Sequence, residues 1–417
     1  HLVVAEYYQE YGKDLRDAAK VSLTVRVDIE DRNFHTETHR NPDTEHHFAA
    51  HMRALPERPG FEFTPAADRR LRVFADTGCY HPEPEWQEGL CHPVESSRGL
   101  ADRADVYSPG WFDLPLAKNG EATLVLTAEP DEPTEAALGA FEQERARRNE
   151  QAVTRAKMDP DDGFGRQLAL ALQAYVARRD PGKTIIAGYP WFLDWGRDSL
   201  ICARGLLAAG LEEDVQQMLI TYGRFVEQGT LANQILGENA SNRDTSDAPL
   251  WFGVACEELA TARGDSVYAA AVDKQGRTLA DVLEEIGAGY RDGTPNGIRM
   301  DPASALIWSP SHFTWMDTNY PAGTPREGYP IEIQALWIRL LRQLARLDRK
   351  GRGARWEALA ARAQETLHRR YWIEERGYYS DLLIAGANQS AEEAVVDTAL
   401  RSNYLLEIGR ASCRERV

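Results

Sequence analysis

The chain has 417 residues, 43% of them hydrophobic and 27% charged, which describes a folded globular protein with room for two or three domains rather than a disordered chain. Its 65 acids against 48 bases leave a formal charge of −17, which argues against nucleic acid and anionic membranes as partners, because phosphate contact needs clustered Lys and Arg. Five widely spaced cysteines without a CxxC pair indicate neither a disulfide framework nor a zinc site, and a reducing cytoplasm is the expected compartment.

No apolar run reaches the length of a membrane span, and nothing in the first residues, which begin at His1 and not at Met, reads as a signal peptide. From residue 1 to 130 the pattern is strand-like. Val21 to Ile29 alternates apolar and polar side chains, as do Phe61-Glu62-Phe63, Leu71-Arg72-Val73-Phe74 and Ala122 to Leu126, so an antiparallel β domain is predicted. Residues 131–160 change to a charged, alanine-rich character and read as a connecting helix.

Beyond that boundary, 161–406 is a series of helical patterns with no strand clearly interrupting them: Phe164–Arg178, Ser199–Ala209, Glu213–Glu227, Asp247–Arg263, Ser266–Gly287, Ile331–Leu347 and Arg355–Tyr371. Long loops precede the second, fourth and sixth of these, whereas the intervening connections are short. Such alternation suits a toroid of inner and outer helices with its functional loops gathered at one end. Asp397 to Leu406 still reads as protein, but 407–417 looks like translated sequencing adapter and is expected to be non-native.

Three loops concentrate acids and aromatics. In the first, Tyr189 to Ser199, two acids, one arginine and four aromatics fall within eleven residues just before an apolar helical run. Aromatic faces that cover C–H surface, with carboxylate and guanidinium groups for vicinal hydroxyls, suit a sugar ring, so Tyr189, Trp191, Asp194, Trp195, Arg197 and Asp198 are candidate substrate contacts. Arg197 and Asp198 fall at a helix N-terminus, where the macrodipole favours an ionised Asp198; a plain N-cap with an ion pair is the competing reading.

In the second loop, Glu238 to Phe252, either Asp244 or Asp247 can cap the following helix, with Pro249 in its first turn. Capping leaves Glu238, Asn239, Arg243 and Trp251 unexplained, so sugar contact weighs equally. In the third loop Asp317 lies among Phe313, Trp315, Met316 and Tyr320, and an apolar surround raises a carboxyl pKa. A carboxylic acid kept protonated is what a glycosidase uses to protonate a departing oxygen. Glu332 has the same chemistry, but its place in a helix start more often marks a hydrogen-bonded structural acid.

Competing chemistries find little support. His35 with His39, and His47 with His51, have the four-residue spacing of helix-borne metal ligands, yet neither pair has the Glu of a zinc protease motif and both lie in a polar stretch of weak helical character. They read as solvated histidines, and no metal or cofactor is expected. GxSxG, P-loop and dinucleotide motifs are absent from the sequence. Cys202 and Cys256 fall on apolar helical faces and read as inert core.

These loops, in this order, resemble the amylo-1,6-glucosidase part of glycogen debranching enzymes. Tyr189 to Ser199 is similar to that family's PWFxDWGRD signature, Asp244 to Phe252 to its DTxDAxLWF element, and Thr314-Trp315-Met316-Asp317 with Thr324-Pro325-Arg326-Glu327-Gly328 and Ile331 to Trp337 to its WMD…TPR.G…VEIxALW block. Pro93 to Leu100 and Tyr107 to Gly110 agree less tightly, and the likeness runs over roughly residues 70 to 406.

The resemblance implies an N-terminal antiparallel β-sandwich followed by an (α/α)6 toroid barrel, incomplete here, that removes α-1,6-linked glucose stubs from glycogen, limit dextrin or branched malto-oligosaccharides with inversion. By the same likeness Arg197 and Asp198 bind the glucose, Asp317 is the general acid, and Trp315, Arg326 and Glu332 stand with them around the substrate. The family's general base, a Glu near the end of the barrel, has no counterpart before Leu406, so this chain alone is expected to be inactive. A glucoamylase- or trehalase-like hydrolase on the same barrel and a non-catalytic glucan-binding protein remain as alternatives.

Overall fold

The structure, a computed structural model, describes residues 21–32, 36–97, 99, 101–116, 121–129, 141–179, 181–188, 192–235, 239–318 and 323–405. The predicted tail, 407–417, lies outside the described residues, as do Tyr189, Trp191, Glu238 and Tyr320. The chain divides into two compact units, His1–Phe141 and Glu142–Val417.

The first unit is built from β1 (Val21–Arg26), β2 (Met52–Ala54), β3 (Gly60–Ala66), β4 (Arg69–Ala75), β5 (Cys79–His81), β6 (Glu85–Cys91), β7 (Arg103–Ser108), β8 (Trp111–Leu116) and β9 (Leu124–Thr127). They pair antiparallel as β1-β8-β5, β2-β3-β4-β9 and β6-β7. The two larger sheets share one core in which Phe61 and Phe63 of β3, Val73 of β4 and Phe112 and Leu114 of β8 are buried. Phe61 and Phe112 bring the sheets together with ring centroids 6.4 Å apart.

One expectation for this unit fails. The histidine stretch taken for weakly helical holds a helix, α1 (Pro42–Ala50), because Asn41 caps it: its side chain accepts from the N–H groups of Asp43 and Thr44, and Thr44 returns a bond to the Asn41 N–H. His47 on that helix is paired with Asp31 at 3.0 Å rather than merely solvated. His35 lies outside the described residues, and no group of three or more metal-binding side chains occurs among those described.

In the second unit the helices are α2 (Phe141–Arg155), α3 (Gly163–Tyr175), α4 (Gly196–Ala208), α5 (Glu212–Arg224), α6 (Ala248–Arg263), α7 (Leu279–Asp292), α8 (Ile331–Leu347) and α9 (Gly353–Tyr371). Within the stretch read as a connecting helix, 131–160, the described helix is α2, and it belongs to this unit. Ala248–Cys256 and Ile331–Ile338 contain only buried residues, the pattern of helix segments enclosed on all sides, whereas α5 and α9 keep an exposed face. The α6 helix packs against both α4 and α8. The short connections from α4 to α5 and from α8 to α9 make those pairs antiparallel neighbours.

Two corrections apply here. Strands do interrupt the helices: Val176–Arg179 pairs with Gly182–Ile185, Asp194–Trp195 with Gln234–Ile235, and Leu382–Ile384 with both Gly328–Pro330 and Val395–Asp397. At two to four residues they are too short for alternation to show in the sequence. The helix predicted over Ser266–Gly287 is instead a 3-10 turn at Asp265–Ala269 followed by α7. Gly276 at φ +82° breaks the run, and Thr278 starts a new helix through a capping box with Asp281.

Candidate active site

Three loops meet at the N-termini of α4, α6 and α8. Trp195 enters α4 in an extended conformation, and Gly196 begins the helix because a Cβ there would lie 2.5 Å from the Ala232 carbonyl oxygen. This close approach sets Arg197 as the second helical residue, and its guanidinium becomes the hub. Nε donates to Asp247 Oδ2 at 2.7 Å and Nη1 to Asp317 Oδ2 at 2.8 Å, while Nη2 reaches Thr245 Oγ1 at 3.4 Å and the Phe313 carbonyl at 3.5 Å.

The side chains grade outward: Asp247 is 2% exposed, Arg197 10% and Asp317 38%. Burial works against the charge on Arg197, but Asp247 and Asp317 outweigh it and raise its pKa. Asp247 does not cap α6 with its side chain; Thr245 supplies the bond to the Ala248 N–H at 3.3 Å and donates to Asp247 Oδ1 at 2.8 Å. The second and third loops are also joined directly. The Ser246 N–H donates to the Phe313 carbonyl at 2.8 Å, and the Ser246 and Ser309 hydroxyls bond at 2.8 Å.

Asp198, third in α4, is exposed at the surface of this cluster. Partial desolvation raises its pKa, and the Asp247 and Asp317 carboxylates add to that, against the opposing pull of Arg197 and its own backbone N–H. The helix N-terminus therefore does not favour the ionised form here to the degree expected. Trp195 is half-buried, with an indole N–H that has no hydrogen-bond partner among the described residues. Trp315 is 48% exposed. Asp244 is exposed, whereas Trp251 is buried in the core.

With two loops 120 residues apart converging on one guanidinium, family and geometry can be set side by side. The model of the amylo-α-1,6-glucosidase family matches residues 169–413, and the model of the glycogen debranching enzyme N-terminal region matches 3–123. The chain belongs to the amylo-α-1,6-glucosidase family. The match to this glycoside hydrolase family runs past Leu406, where the recognisable sequence was expected to stop.

Among solved structures this amylo-α-1,6-glucosidase family member is similar to a bacterial glucoamylase complexed with acarbose, at 11% identity and a TM-score of 0.48, covering 84% of this chain and 54% of that one. It is also similar to a Streptococcus pneumoniae metal-independent α-mannosidase in a non-productive complex with α-1,6-mannobiose, at 15% identity and a TM-score of 0.40, covering 60% of this chain and 68% of that one. The chain thus spans about half the length of the glucoamylase it matches. None of the curated proteins matches it.

Several expected contacts of this family member are not at the surface of the site. Asp194 is 3% exposed and pairs with Arg179 at 3.0 Å, bracing the hairpin beside α4. Arg326 and Glu332, 2% and 1% exposed, form a bidentate pair that lies behind the site. Desolvation raises the Glu332 pKa and the Arg326 guanidinium opposes that rise. Among the described residues Asp317 is not enclosed by the apolar side chains predicted for it, since its neighbour Trp315 turns outward and Arg197 faces its carboxylate. Cys202, read as core, is exposed on α4, while Cys256 is buried as expected.

Sequence reading missed Thr245, Arg179, Asp381 and Asn403. Thr245 was visible inside a quoted motif as a side chain able to cap. The other three sit in stretches without a chemical signature, and only their partners identify them.

Proposed function

We propose that this chain carries the sugar-binding and acid side of a debranching α-1,6-glucosidase, acting on branch stubs of glycogen, limit dextrin or branched malto-oligosaccharides. The observation that carries this reading is the convergence of Arg197, Asp198 and Asp317 at the N-terminus of α4, with the exposed ring of Trp315 beside them. Arg197 and Asp198 supply donors and acceptors for vicinal hydroxyls. Tyr189 and Trp191, which lie outside the described residues, are proposed as further substrate contacts from the sequence motif alone.

Asp317 is proposed as the general acid. In the free protein its Oδ2 accepts a hydrogen bond from Arg197 Nη1, which leaves Oδ1 to carry the proton and donate it to the bridging oxygen. Asp247, committed to Arg197 and Thr245, holds the guanidinium rather than meeting the substrate. Inversion needs a second carboxylate about 6.5–9.5 Å from the acid to activate water, and we place that base outside the residues described here, on an (α/α)6 barrel to which α3 to α9 belong.

The complete gene product is the species to test, on α-1,4-, α-1,6- and α,α-1,1-linked glucosides, with the anomer of released glucose followed by NMR. Release of β-glucose from the α-1,6 substrate, lost by about 100-fold or more in Asp317→Asn with binding retained, is expected. Preference for another linkage, an α product, or binding without turnover in the wild type would sink the reading.

A further inference from the structure

Behind the Asp317 loop lies a second charged cluster that the proposed chemistry does not use. Asp381 is 1% exposed; its Oδ2 accepts from Arg326 Nε at 3.1 Å and from Arg401 Nη1 at 2.9 Å. Only Oδ1 is left, and it accepts from Asn403 Nδ2 at 2.7 Å. The Asn403 side chain, itself 2% exposed, then faces the loop: Oδ1 accepts from the indole N–H of Trp315 at 2.7 Å, and Nδ2 lies 3.5 Å from Met316 Sδ.

Thr314 is tied to the same cluster, since its Oγ1 accepts from Arg326 Nη1 at 3.1 Å and from the Met316 N–H at 3.3 Å. All three residues immediately before Asp317 are therefore anchored to the cluster from behind, while Arg197 meets Asp317 from the front. The amide can take only one orientation. Flipped, it would set its NH2 against the Trp315 N–H and its oxygen against the Asp381 carboxylate, two repulsive contacts in a buried place.

We propose that Asn403 is a positioning residue for Asp317: through Trp315 and Met316 it fixes the loop so that the acid stands at the glycosidic oxygen. Trp315 explains why a purely packing role is insufficient, because its ring is half-exposed and only its N–H is held. A free indole at such a site can turn about its χ angles, whereas a tethered one keeps the neighbouring backbone in place. Misplacing a catalytic group by about 1 Å costs on the order of 100-fold in rate.

This inference rests on Asp317 being the acid, and the experiment separates the two claims. In the complete gene product, wild type, Asn403→Ala, Trp315→Phe and Asp317→Asn are compared on an α-1,6-linked oligosaccharide, whose leaving oxygen must be protonated, and on α-glucosyl fluoride, whose leaving group needs little acid assistance. Asn403→Ala is expected to lose about 10- to 100-fold in kcat on the oligosaccharide, with KM and fluoride turnover within about threefold of wild type. Trp315→Phe, which removes the indole N–H together with part of the ring and decides the matter if Asn403→Ala does not fold, is expected to show a loss in kcat on the oligosaccharide relative to the fluoride that is smaller than that of Asn403→Ala. Equal losses on both substrates, or none, in the variants that fold would overturn the positioning role. If Asp317→Asn itself shows no selective loss, the assignment of the acid fails instead.

Discussion

Arg197 and Arg326 stand in equally persuasive sequence motifs, yet each is given its role by its partners. Arg197 keeps one edge toward an exposed carboxylate, whereas Arg326 is closed in by Glu332, Asp381 and Thr314. Because Asp247 is the buried counter-charge of Arg197, Asp247→Ala is expected to cost about 3 kcal/mol, checked by urea unfolding, since the buried guanidinium then keeps only the more exposed Asp317 as an ionic partner. Asp198 allows a test of sign. Its folded pKa lies above the ordinary value of 3.8, so ionising it costs the folded state: the stability tied to this group is intact in acid and lost as pH rises through the carboxylate range. Asp198→Asn is therefore expected to be more stable than wild type near neutrality and indistinguishable from it at about pH 3, as measured by denaturation at a series of pH values. The reverse ordering would show that Asp198 is held as a favoured anion.

At the scale of elements, helix periodicity located α4, α5, α6, α8 and α9 to within a few residues, because long amphipathic or wholly apolar runs repeat the signal many times. The intervening hairpins carried no such redundancy. What places the site is where the helices begin. Gly196 is the sharpest instance, since its missing Cβ lets the start of α4 approach the Ala232 carbonyl. Gly196→Ala is expected to lower stability by about 1–3 kcal/mol and to displace Arg197, so that both the melting temperature and kcat fall. A variant with an unchanged melting temperature would contradict the close approach. The same logic explains the split of the predicted Ser266–Gly287 helix, where a glycine and a capping threonine outweighed a continuous apolar pattern.

For the whole molecule, the charge of −17 disfavours polyanionic partners, and no helix among the described residues is long and apolar enough to cross a membrane. One surface stands out. Ile384 and Val395 are opposite each other across two paired strands and are 48% and 63% exposed. Ile384→Lys with Val395→Glu is expected to leave the melting temperature within a few degrees of wild type in calorimetry, since opposite charges on facing strands contribute about 0.2–1 kcal/mol. The sequence by itself determined the β-then-α order, the main helices and the three loops, because periodicity and motif are local properties of neighbouring residues. Only the tertiary structure decided which members of those loops face outward and which are buried: Asp194, Arg326 and Glu332 against Asp198, Trp315 and Asp317. The pairing of Arg197 depends on residues 50 and 120 positions away, Asp247 and Asp317, and no local pattern records which distant side chain will arrive.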